Sequence, residues 1–460
     1  MVELVKFKTY KKYRQSKFIW IKEIPSHWNI KKVAHTTYVK GRIGWQNLRS
    51  EEFSDTGYLC ITGTDFDNGS IDYSKAYRVS KERYEQDKNI QLKENDLLIT
   101  KDGTIGKIAI VSNLKENATL NSGIFVTRPY KHTYLQIFFY YVLLSDMFYS
   151  FIQYQCAGTT INHLYQNIFE KFRFPLPPIS EQYQIASFLD YKVSKIDQLI
   201  QEKQELIELL KKKKTTLITK CVTKGLNDNV EMKDSGVEWI GAIPFDWKLS
   251  KIKRDYEVCL GKMVQPEPLT STDTCEYYLR AANVQDNYID ISDLKKMWFS
   301  KSEREKFQLK KDDLIVCEGG EVGRAAIWKG EIERCFIQNA VHRVRGKKGK
   351  LNKFLYYWLY FLKNIGYIDL ICNKATISHL TEEKLKKMPL LIIDIEEQQK
   401  IVDHLDYKTS KIDQSIQEIQ DSIDYLKRYR TSLITAAVTG KIDVRDWEQG
   451  EILNKEAAHA

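Results

Sequence analysis

Gly103-Thr-Ile-Gly106-Lys107 contains residue types that could cradle a phosphate group. Its spacing differs from that of a GxxxxGK[ST] loop, and no GxGxxG segment follows a strand-like run, so ATP hydrolysis is not expected. His163 and His379 could transfer protons, but each lies beside apolar residues, which favours a structural role. The sequence also lacks HExxH, GxSxG and Asn/Asp-Pro-Pro-Tyr/Phe segments. These features predict a binding protein without catalytic residues.

Metal and redox chemistry are not indicated either. The eight cysteines lie at least sixteen residues apart, so the sequence has no CxxC pair and no zinc-ligand spacing. Asp312-Asp313 has no Glu-x-Lys nearby in a strand context, as a nuclease site would require. We therefore expect reduced thiols and no metal site.

Composition predicts a soluble protein with a polyanionic partner. The length of 460 residues corresponds to about three domains, and 71 Lys and Arg against 61 Asp and Glu give a net charge of +10. Residues 133–152 and 353–362 are strongly apolar, but internal polar residues in the first and flanking lysines around the second favour buried helices over membrane spans. The first residues lack the pattern of an export signal, so we expect a cytoplasmic location.

The chain contains the same series of motifs twice. WIKEIPSHW at 20–28 recurs as WIGAIPFDW at 239–247, and the segment 95–107 recurs as 312–324 with the spacing of its two glycines kept. TINHL at 160–164 matches TISHL at 376–380, and LDYKVSKIDQ at 189–198 matches LDYKTSKIDQ at 405–414 in nine of ten positions. A repeat of this kind predicts two copies of one architecture.

The two copies have diverged unevenly. Residues 34–94 and 253–311 share little beyond their apolar positions, whereas the segments that begin at Glu181 and Glu397 remain alike. This pattern predicts two reading heads of different specificity on two equivalent scaffolds that contact identical partners.

The scaffolds are predicted to be long helices. Apolar residues recur at intervals of three and four after Glu181 and after Glu397, as in a coiled-coil seam. Because such a stripe must be buried, we expect the helices to pack antiparallel, with lysines 211–214 on the outer face. The seam residues that we assign to partner binding are Leu189, Ile196, Ile200, Ile207, Leu405, Ile412, Ile416 and Ile423.

The segments before the helices are predicted to be mixed α/β, with β-rich runs at 96–100, 107–111 and 313–317. The expected fold class is α+β: two tandem α/β domains, each followed by a long helix, related by an internal pseudo-two-fold repeat. The expected boundaries are 1–17 for an N-terminal arm, 18–180 for the first head, 181–225 for the central helix, 226–236 for a linker, 237–396 for the second head, 397–443 for the C-terminal helix and 444–460 for a tail.

Taken in order, the motifs resemble those of a known family. The series consists of Trp-Ile-x-x-Ile-Pro-x-x-Trp, Asp-Leu-Leu/Ile with Gly-x-x-Gly-Lys/Arg, Thr-Ile-x-His-Leu, then Glu-Gln-x-x-Ile-x-x-x-Leu-Asp and a Lys-Ile-Asp helix. Present twice between about residues 13 and 443, it resembles the specificity subunit of type I restriction-modification systems. The resemblance implies that each head is a target recognition domain for one half of a split, asymmetric DNA site, and that the helices set the spacing between the halves.

The resemblance also implies partners. They are double-stranded DNA, two methyltransferase subunits and restriction or motor subunits. DNA adenine methyltransferase and ATP-dependent endonuclease activities, with S-adenosylmethionine, ATP and Mg²⁺, are then expected on those subunits and no cofactor on this chain.

DNA-contacting residues are expected in the polar loops beside the repeated motifs. Arg and Lys suit guanine, Asn and Gln suit adenine, and Asp and Glu suit cytosine, while Lys, Ser and Thr contact phosphates. In the first head the candidates are Lys40, Arg42, Trp45, Gln46, Thr62, Thr64, Lys101, Thr104, Lys107, Thr159 and Thr160. In the second head they are Lys262, Gln265, Arg280, Asn283, Glu318, Glu321, Arg324, Lys374 and Thr376. Trp20, Trp28, Trp239 and Trp247 are expected in the core, and Gly103, Gly106, Gly320 and Gly323 in turns.

Two other classes of protein stay open from the sequence. An enzyme with an unrecognised site would modify or cut DNA without partners. A coiled-coil interaction protein would bind duplex DNA negligibly and without a steep dependence on salt, although two diverged heads argue against it.

Overall fold

A computed structural model describes residues 7–42, 48, 50–155, 163–372 and 379–448 of the chain. The chain forms two compact units, of which the first comprises the residues up to 204 together with those from 420 onward, and the second comprises residues 205–419. Each unit contains one head, the beginning of the long helix that follows it and the end of the other long helix.

The first head consists of short strands and helices that precede a long helix, α6. The elements are β1 (Tyr13–Phe18), β2 (Ile21–Pro25), β3 (Asn29–Lys32), α1 (Val33–Thr36), β4 (Thr37–Gly41), β5 (Tyr58–Ile61), β6 (Phe66–Asp67), β7 (Ser70–Ile71), β8 (Tyr77–Val79), α2 (Lys81–Glu85), β9 (Leu97–Thr100), β10 (Ile108–Ile110), β11 (Ala118–Leu120), β12 (Ile124–Pro129), α3 (Gln136–Leu144), α4 (Asp146–Gln155), α5 (Gln166–Phe169), β13 (Arg173–Leu176) and α6 (Ile179–Lys224). One antiparallel sheet has the order β10-β9-β12-β4, and a smaller sheet has the order β11-β5-β8 with β11 and β5 parallel.

The second head repeats this topology before the second long helix, α12. The elements are β14 (Met232–Asp234), β15 (Ala242–Pro244), β16 (Lys248–Lys251), α7 (Ile252–Asp255), β17 (Tyr256–Leu260), β18 (Thr274–Leu279), β19 (Lys295–Phe299), α8 (Lys301–Phe307), β20 (Leu314–Cys317), β21 (Ala325–Ile327), β22 (Cys335–Ile337), β23 (Val341–Gly346), α9 (Asn352–Asn364), α10 (Tyr367–Cys372), α11 (Glu382–Lys387), β24 (Pro389–Ile392) and α12 (Ile395–Val438). Its sheets have the orders β17-β23-β20-β21 and β19-β18-β22. The predicted α+β class and internal repeat are confirmed.

In each head one apolar cluster lies between the larger and the smaller sheet, and in the second head another lies between the larger sheet and the apolar helices. Every residue of β9 and β20 is buried, as expected for continuous apolar runs in central strands. Residues 133–152 form two helices rather than one, because Ser145 adopts an extended conformation between α3 and α4. Among the helices of the described residues, none combines the length and apolarity needed to cross a bilayer.

A Glu-Trp pair fastens each head to the start of its own long helix. Glu181 accepts hydrogen bonds from Trp28 Nε1 at 2.9 Å and from the Tyr10 hydroxyl at 3.0 Å. In the second unit, Glu397 accepts one from Trp247 Nε1 at 3.0 Å. The two tryptophans are 1% and 3% exposed, which confirms them as core residues, whereas Trp20 and Trp239 are only partly buried.

The two long helices run antiparallel. In the first unit, Asp197 of α6 pairs with Arg430 of α12 at 2.8 Å, and in the second unit Lys214 of α6 pairs with Asp413 of α12 at 2.7 Å. From the first pair to the second, the residue number rises by 17 along α6 and falls by 17 along α12, so the two helices run in opposite directions. The internal repeat relates the two pairs, because Asp197 corresponds to Asp413 and Lys214 corresponds to Arg430. The expected antiparallel coiled coil is confirmed. The expectation that lysines 211–214 all lie on the outer face is wrong for Lys214, which faces α12.

The N-terminal arm meets the end of the chain's last helix in the first unit. Asp443 N donates to Lys8 O at 2.7 Å, and the Tyr13 hydroxyl donates to Gly440 O at 3.0 Å. In the second unit, the segment between the helix end and β15 includes strand β14, which pairs with β15 as β1 pairs with β2. We call these two places the joints of the chain.

His342 gives the second head a dependence of stability on pH. It is fully buried on β23, Nε2–H donates to Leu380 O at 2.6 Å, and burial lowers the imidazole pKa below its ordinary value. The His342 imidazole therefore binds a proton more readily in the unfolded chain than in the folded head. The free energy of unfolding should fall as the pH drops below about 6.5, because protonation then favours the unfolded chain. We expect His342→Gln, which retains a donor, to have a shallower decline of Tm between pH 7 and 5.

The first head supplies a matched comparison for this measurement. Phe125 occupies the position that corresponds to His342, since the two strands pair in the same register with β9 and β20. Hydrogen exchange that follows each head separately should show the acid sensitivity in the second head. Equal pH slopes for wild type and His342→Gln would contradict the assignment.

Candidate nucleic-acid interface

Loops from both sheets of the first head meet along one edge. β9 ends opposite the start of β12, β4 ends beside it, and the parallel strands β5 and β11 end together. The short connection from β11 to β12 joins the two sheets here, because Asn121 N donates to Ile61 O at 2.9 Å and Lys101 N donates to Gly123 O at 2.8 Å. We call residues 40–42, 62–64, 101–107, 121–123 and 163 the first loop edge.

The second head has the same arrangement. Gln338 N donates to Leu279 O at 3.0 Å, and Glu318 N donates to Ala340 O at 2.9 Å. We call residues 262–265, 280–283, 318–324, 338–340 and 379 the second loop edge. Each edge therefore gathers residues that are far apart in the sequence, which a chain needs for a combined contact with one ligand.

A glycine-containing turn forms the centre of each edge. Gly103 and Gly106 have φ of +67° and +82°, and a Cβ at either position would meet no atom within 4 Å, so the left-handed backbone and not space requires glycine there. Thr100 holds the turn, because its hydroxyl donates to Thr104 O at 2.6 Å and accepts a hydrogen bond from Lys107 N at 2.9 Å. The expectation that these glycines serve turn geometry is confirmed.

The repeated Thr-Ile-x-His-Leu motif is attached to this turn in both heads. Leu164 N donates to Lys101 O and Leu380 N donates to Glu318 O, both at 2.8 Å. His163 Nδ1 also contacts the Asp102 carboxylate. The motif thus has a structural task at the edge, which explains why it recurs without any catalytic partner being required.

The first loop edge presents cationic and hydroxyl side chains. Thr104 and Lys107 are exposed, and Lys40 and Lys101 are half-buried, with Lys101 Nζ 5.4 Å from the centre of the Phe125 ring. The candidates Thr62 and Thr64 lie in the turn after β5. Their hydroxyl oxygens lie 2.6 Å apart, and the Thr62 hydroxyl donates to the Asp65 carboxylate at 3.0 Å.

Arg42 is placed differently from a DNA-contacting arginine. It is 2% exposed and donates to Leu120 O at 2.9 Å and to Thr119 Oγ1 at 3.3 Å. Burial also lowers the pKa of its guanidinium. The structure therefore gives Arg42 the task of joining β4 to β11, although its residue type and position in the sequence suggested base reading.

Several candidates in the second head are likewise held by internal contacts. Lys262 is buried, and its Nζ donates to Glu303 and Gln265 at 2.5 Å and to Trp298 O at 2.9 Å. The side-chain amide of Gln265 donates through Nε2 to Glu267 O at 3.0 Å. Buried Asn283 donates to Asp290 O at 2.9 Å. Arg280 pairs with Asp293, and Arg324 donates to Ala281 O at 2.9 Å and to Glu321 at 3.1 Å. These residues stabilise the second edge, which leaves fewer side chains available to a ligand.

Glu318 and Glu321 differ in availability. Glu321 pairs with Lys363 and Arg324, which hold its pKa below the ordinary range. Burial raises the pKa of Glu318, and among the described residues no donor bonds to its carboxylate. Glu318 is therefore a partly buried acceptor at the edge that is available to an amino group of a ligand.

The edges also contain amide side chains that sequence reasoning missed. Asn121 in the first head corresponds to Gln338 in the second, and Asn339 follows it, all half-buried. Asn and Gln are the residue types that suit adenine. Their position follows from the parallel pairing of β5 with β11 and of β18 with β22, strands that are distant in sequence, so no local pattern signals it.

The seam residues of α6 and α12 are largely buried within the chain. Most of them are buried, between 0% and 9% exposed, and the partly exposed Ile416 is the exception. The list comprises Leu189, Ile196, Ile200, Ile207, Leu405, Ile412, Ile416 and Ile423. The seam is therefore occupied by contacts within the chain, and the assignment of its residues to partner binding stays a prediction.

Six candidates lie outside the described residues. They are Trp45, Gln46, Thr159, Thr160, Lys374 and Thr376. Their assignment to DNA contact stays a prediction.

Comparisons with known proteins match this architecture. A family model described as the type I restriction modification DNA specificity domain matches residues 42–209 and 271–424. The type I restriction enzyme MjaVIII specificity subunit of Methanocaldococcus jannaschii is 26% identical, over 92% of this chain and 95% of its own length. The EcoBI specificity subunit of Escherichia coli is 24% identical, over 75% of this chain and 73% of its own.

A solved structure has the same fold. It comes from work on complex assembly and conformational transition of the type I R-M system, and its chain aligns with a TM-score of 0.68 at 15% identity, covering 91% of this chain and 99% of that chain. The tandem heads and long helices are thus a known arrangement.

Proposed function

The chain belongs to the type I restriction-modification DNA specificity subunits, and on that premise we propose that it reads a two-part, asymmetric DNA site with its two heads. In this proposal the exposed faces of its long helices carry two methyltransferase subunits and the restriction or motor subunits. The partners supply methylation, ATP hydrolysis and cleavage together with S-adenosylmethionine, ATP and Mg²⁺, and the complex acts in the cytoplasm. The chain itself catalyses no step.

The observation that carries the proposal is the contrast between two loop edges of identical topology. The first presents Lys101 where the corresponding turn of the second presents Glu318, while Thr104 and Lys107 correspond to Glu321 and Arg324, which pair with each other. Lysine and hydroxyl groups suit phosphates and guanine, while carboxylates accept hydrogen bonds from the amino group of cytosine. Equivalent scaffolds with different polar groups are what reading two different half-sites requires.

Mapping of methylated adenines tests this function. The experiment compares cells that express the cognate methyltransferase subunit with and without this chain. We expect a split motif of two short half-sites that depends on the chain. If the subunits are shown to assemble and no chain-dependent motif is found, the proposal is wrong and a pure interaction protein becomes the better interpretation.

Replacement of Glu318 should alter one base position. In Glu318→Gln the acceptor-only carboxylate becomes an amide that also donates, so preference for cytosine over adenine at the contacted position should weaken by about 1–3 kcal/mol, or roughly fivefold to a hundred-and-fiftyfold. The measurement is competition binding of the assembled methyltransferase to duplexes that vary at each position of the motif.

Glu321→Gln is the matched control for this substitution. Its carboxylate is already bound by Lys363 and Arg324, so we expect little change in base preference. A uniform loss of affinity at all positions for Glu318→Gln would indicate a structural role and contradict base reading.

A further inference from the structure

Two side-chain amides form a hydrogen-bonded pair at the second loop edge. Gln338 Nε2 donates to Asn339 Oδ1 at 2.8 Å, and we call these two residues the amide pair. Both are half-buried and lie in the connection from β22 to β23. Within the part of the chain that the structure describes, neither side chain makes another hydrogen bond. The amide pair therefore retains polar groups that a ligand can use.

The backbone on both sides of Asn339 is held by the rest of the second head. Gln338 N donates to Leu279 O at 3.0 Å, and Asn339 N donates to Lys262 O at 2.9 Å. The carbonyl oxygen of the residue after Asn339 accepts a hydrogen bond from Glu318 N at 2.9 Å. Because the ends of three different strands fix this backbone, the amide pair needs little further ordering to meet a ligand.

The hydrogen bond within the amide pair leaves the Asn339 amide able to accept and to donate at once. A carbonyl oxygen has two lone pairs, and an amide nitrogen has two hydrogens. Gln338 uses one lone pair of Oδ1, so Oδ1 can accept one more hydrogen bond and Nδ2 can donate two. With both amide groups flipped, Asn339 would donate to Gln338 and would still keep one hydrogen and both lone pairs. Either orientation suits adenine, which offers N6 hydrogens beside the N7 acceptor in the major groove.

The corresponding amide of the first head lacks this combination. Asn121 Oδ1 accepts hydrogen bonds from Ser122 N at 2.7 Å and from the Ser122 hydroxyl at 3.4 Å, so both of its lone pairs are engaged. Asn121 Nδ2 has no partner among the described residues, which leaves this side chain with donors alone. It can contact acceptors such as O6 and N7 of guanine, but it has no lone pair for the amino group of adenine.

We propose that Asn339 reads one adenine in the half-site of the second head and that Gln338 is the positioning residue that holds its amide. Asn339 Oδ1 accepts a hydrogen bond from adenine N6, and Nδ2 donates to adenine N7. Guanine is rejected at this position, because its O6 acceptor would face the carbonyl oxygen of Asn339. The inference rests on the proposed function, since it requires that the second loop edge faces the bases.

Two adenine analogues test this assignment one hydrogen bond at a time. The protein is the assembled methyltransferase, and the duplexes carry the mapped methylation motif. Each adenine of the half-site that changes on exchange of residues 237–396 is replaced in turn by 7-deazaadenine, which lacks the N7 acceptor, or by purine, which lacks the amino group. At one adenine we expect each analogue to weaken binding by about twofold to tenfold.

Variants of the amide pair separate base recognition from folding. Asn339→Leu should lose the response to both analogues, and its preference for adenine at that position should fall by about fivefold to a hundred-and-fiftyfold. Asn339→Asp keeps the acceptor and loses the donors, so it should respond to purine but not to 7-deazaadenine. Gln338→Met should respond weakly to both analogues, because the amide of Asn339 is no longer held. A purely structural role would instead lower affinity equally at every position.

Asn121→Leu is the matched control from the first head. It should leave both analogue responses in the second half-site unchanged, and it should remove no response to purine in the first. Equal responses of wild type and Asn339→Leu at every adenine, or a second half-site without adenine, would overturn the inference while the specificity function stands. If the subunits assemble and no chain-dependent motif exists, the proposed function is wrong and the inference falls with it.

Discussion

Exchange of residues 18–180 for the matching segment of another specificity subunit is expected to replace one half of the methylated DNA motif and leave the other half unchanged. The first loop edge lies wholly within this segment, and the second loop edge lies wholly outside it. Each mismatched base pair in a half-site costs about 1–3 kcal/mol, so the loss of preference for the old half-site should reach several orders of magnitude. Mapping of methylated bases in cells with the methyltransferase subunit measures it.

The structure defines how such an exchange must be made. Trp28 lies inside the exchanged segment and Glu181 lies just beyond it, at 2.9 Å, so the incoming head must supply a tryptophan at that position. The reciprocal exchange of residues 237–396 is the control and should change the other half alone. A single exchange that altered both halves, or neither, would contradict independent reading by two heads.

Removal of the Asp96 carboxylate is expected to destabilise the first head by about 3–5 kcal/mol. Asp96 accepts hydrogen bonds from Arg128 at 2.7 and 2.6 Å and from Lys93 N at 2.8 Å, and its side chain is 4% exposed. In Asp96→Ala the Arg128 guanidinium loses the carboxylate that it contacts. Removal of one partner of a buried ion pair lowers the free energy of unfolding far more than removal of both, because the remaining charge is left without a partner. The measurement is hydrogen exchange in β9 and β12, because a chain of two units need not unfold in one step.

The second head and an exposed pair provide the comparisons. Arg345 contacts the Asp313 carboxylate at 2.5 and 2.8 Å. Removal of this carboxylate should cause a loss of stability of similar size that is confined to the second head. Glu383→Gln breaks the exposed pair with Lys387 and should leave exchange unchanged. Replacement of both Asp96 and Arg128 by apolar residues of similar volume should recover much of the loss. A small effect of Asp96→Ala alone would mean that water replaces the carboxylate.

The scaffold was predictable because its signals are local and periodic. The seam spacing after Glu181 and Glu397 predicted both long helices, and the duplicated motifs predicted one topology used twice. The break at Ser145 was not predicted, since the apolar run continues through it and only packing against the sheet decides where the chain turns. Lys214 was misplaced for a similar reason, because the sequence does not show which neighbour in a lysine run meets Asp413.

The candidate interface was less accessible to sequence reasoning. A polar residue beside a glycine turn can face outward, as Lys107 does, or close a buried gap between sheets, as Arg42 and Lys262 do. The difference depends on which strands pair, and the parallel pairing of β5 with β11 joins segments separated by more than fifty residues. The same pairing of β5 with β11 brings Asn121 to the first loop edge, and this position cannot be inferred from the composition of the sequence.

The two joints bear on how such a chain can arise and recombine. In the first unit, Asp443 and Lys8 are held together by a backbone hydrogen bond of 2.7 Å between opposite ends of the sequence. In the second unit, the corresponding place is crossed by continuous chain. Among the described residues, the contacts between a head and its helices do not depend on which joint carries the peptide bond. A reading frame rotated by half a repeat, or divided into two half-length genes, is therefore expected to retain every contact described for the heads.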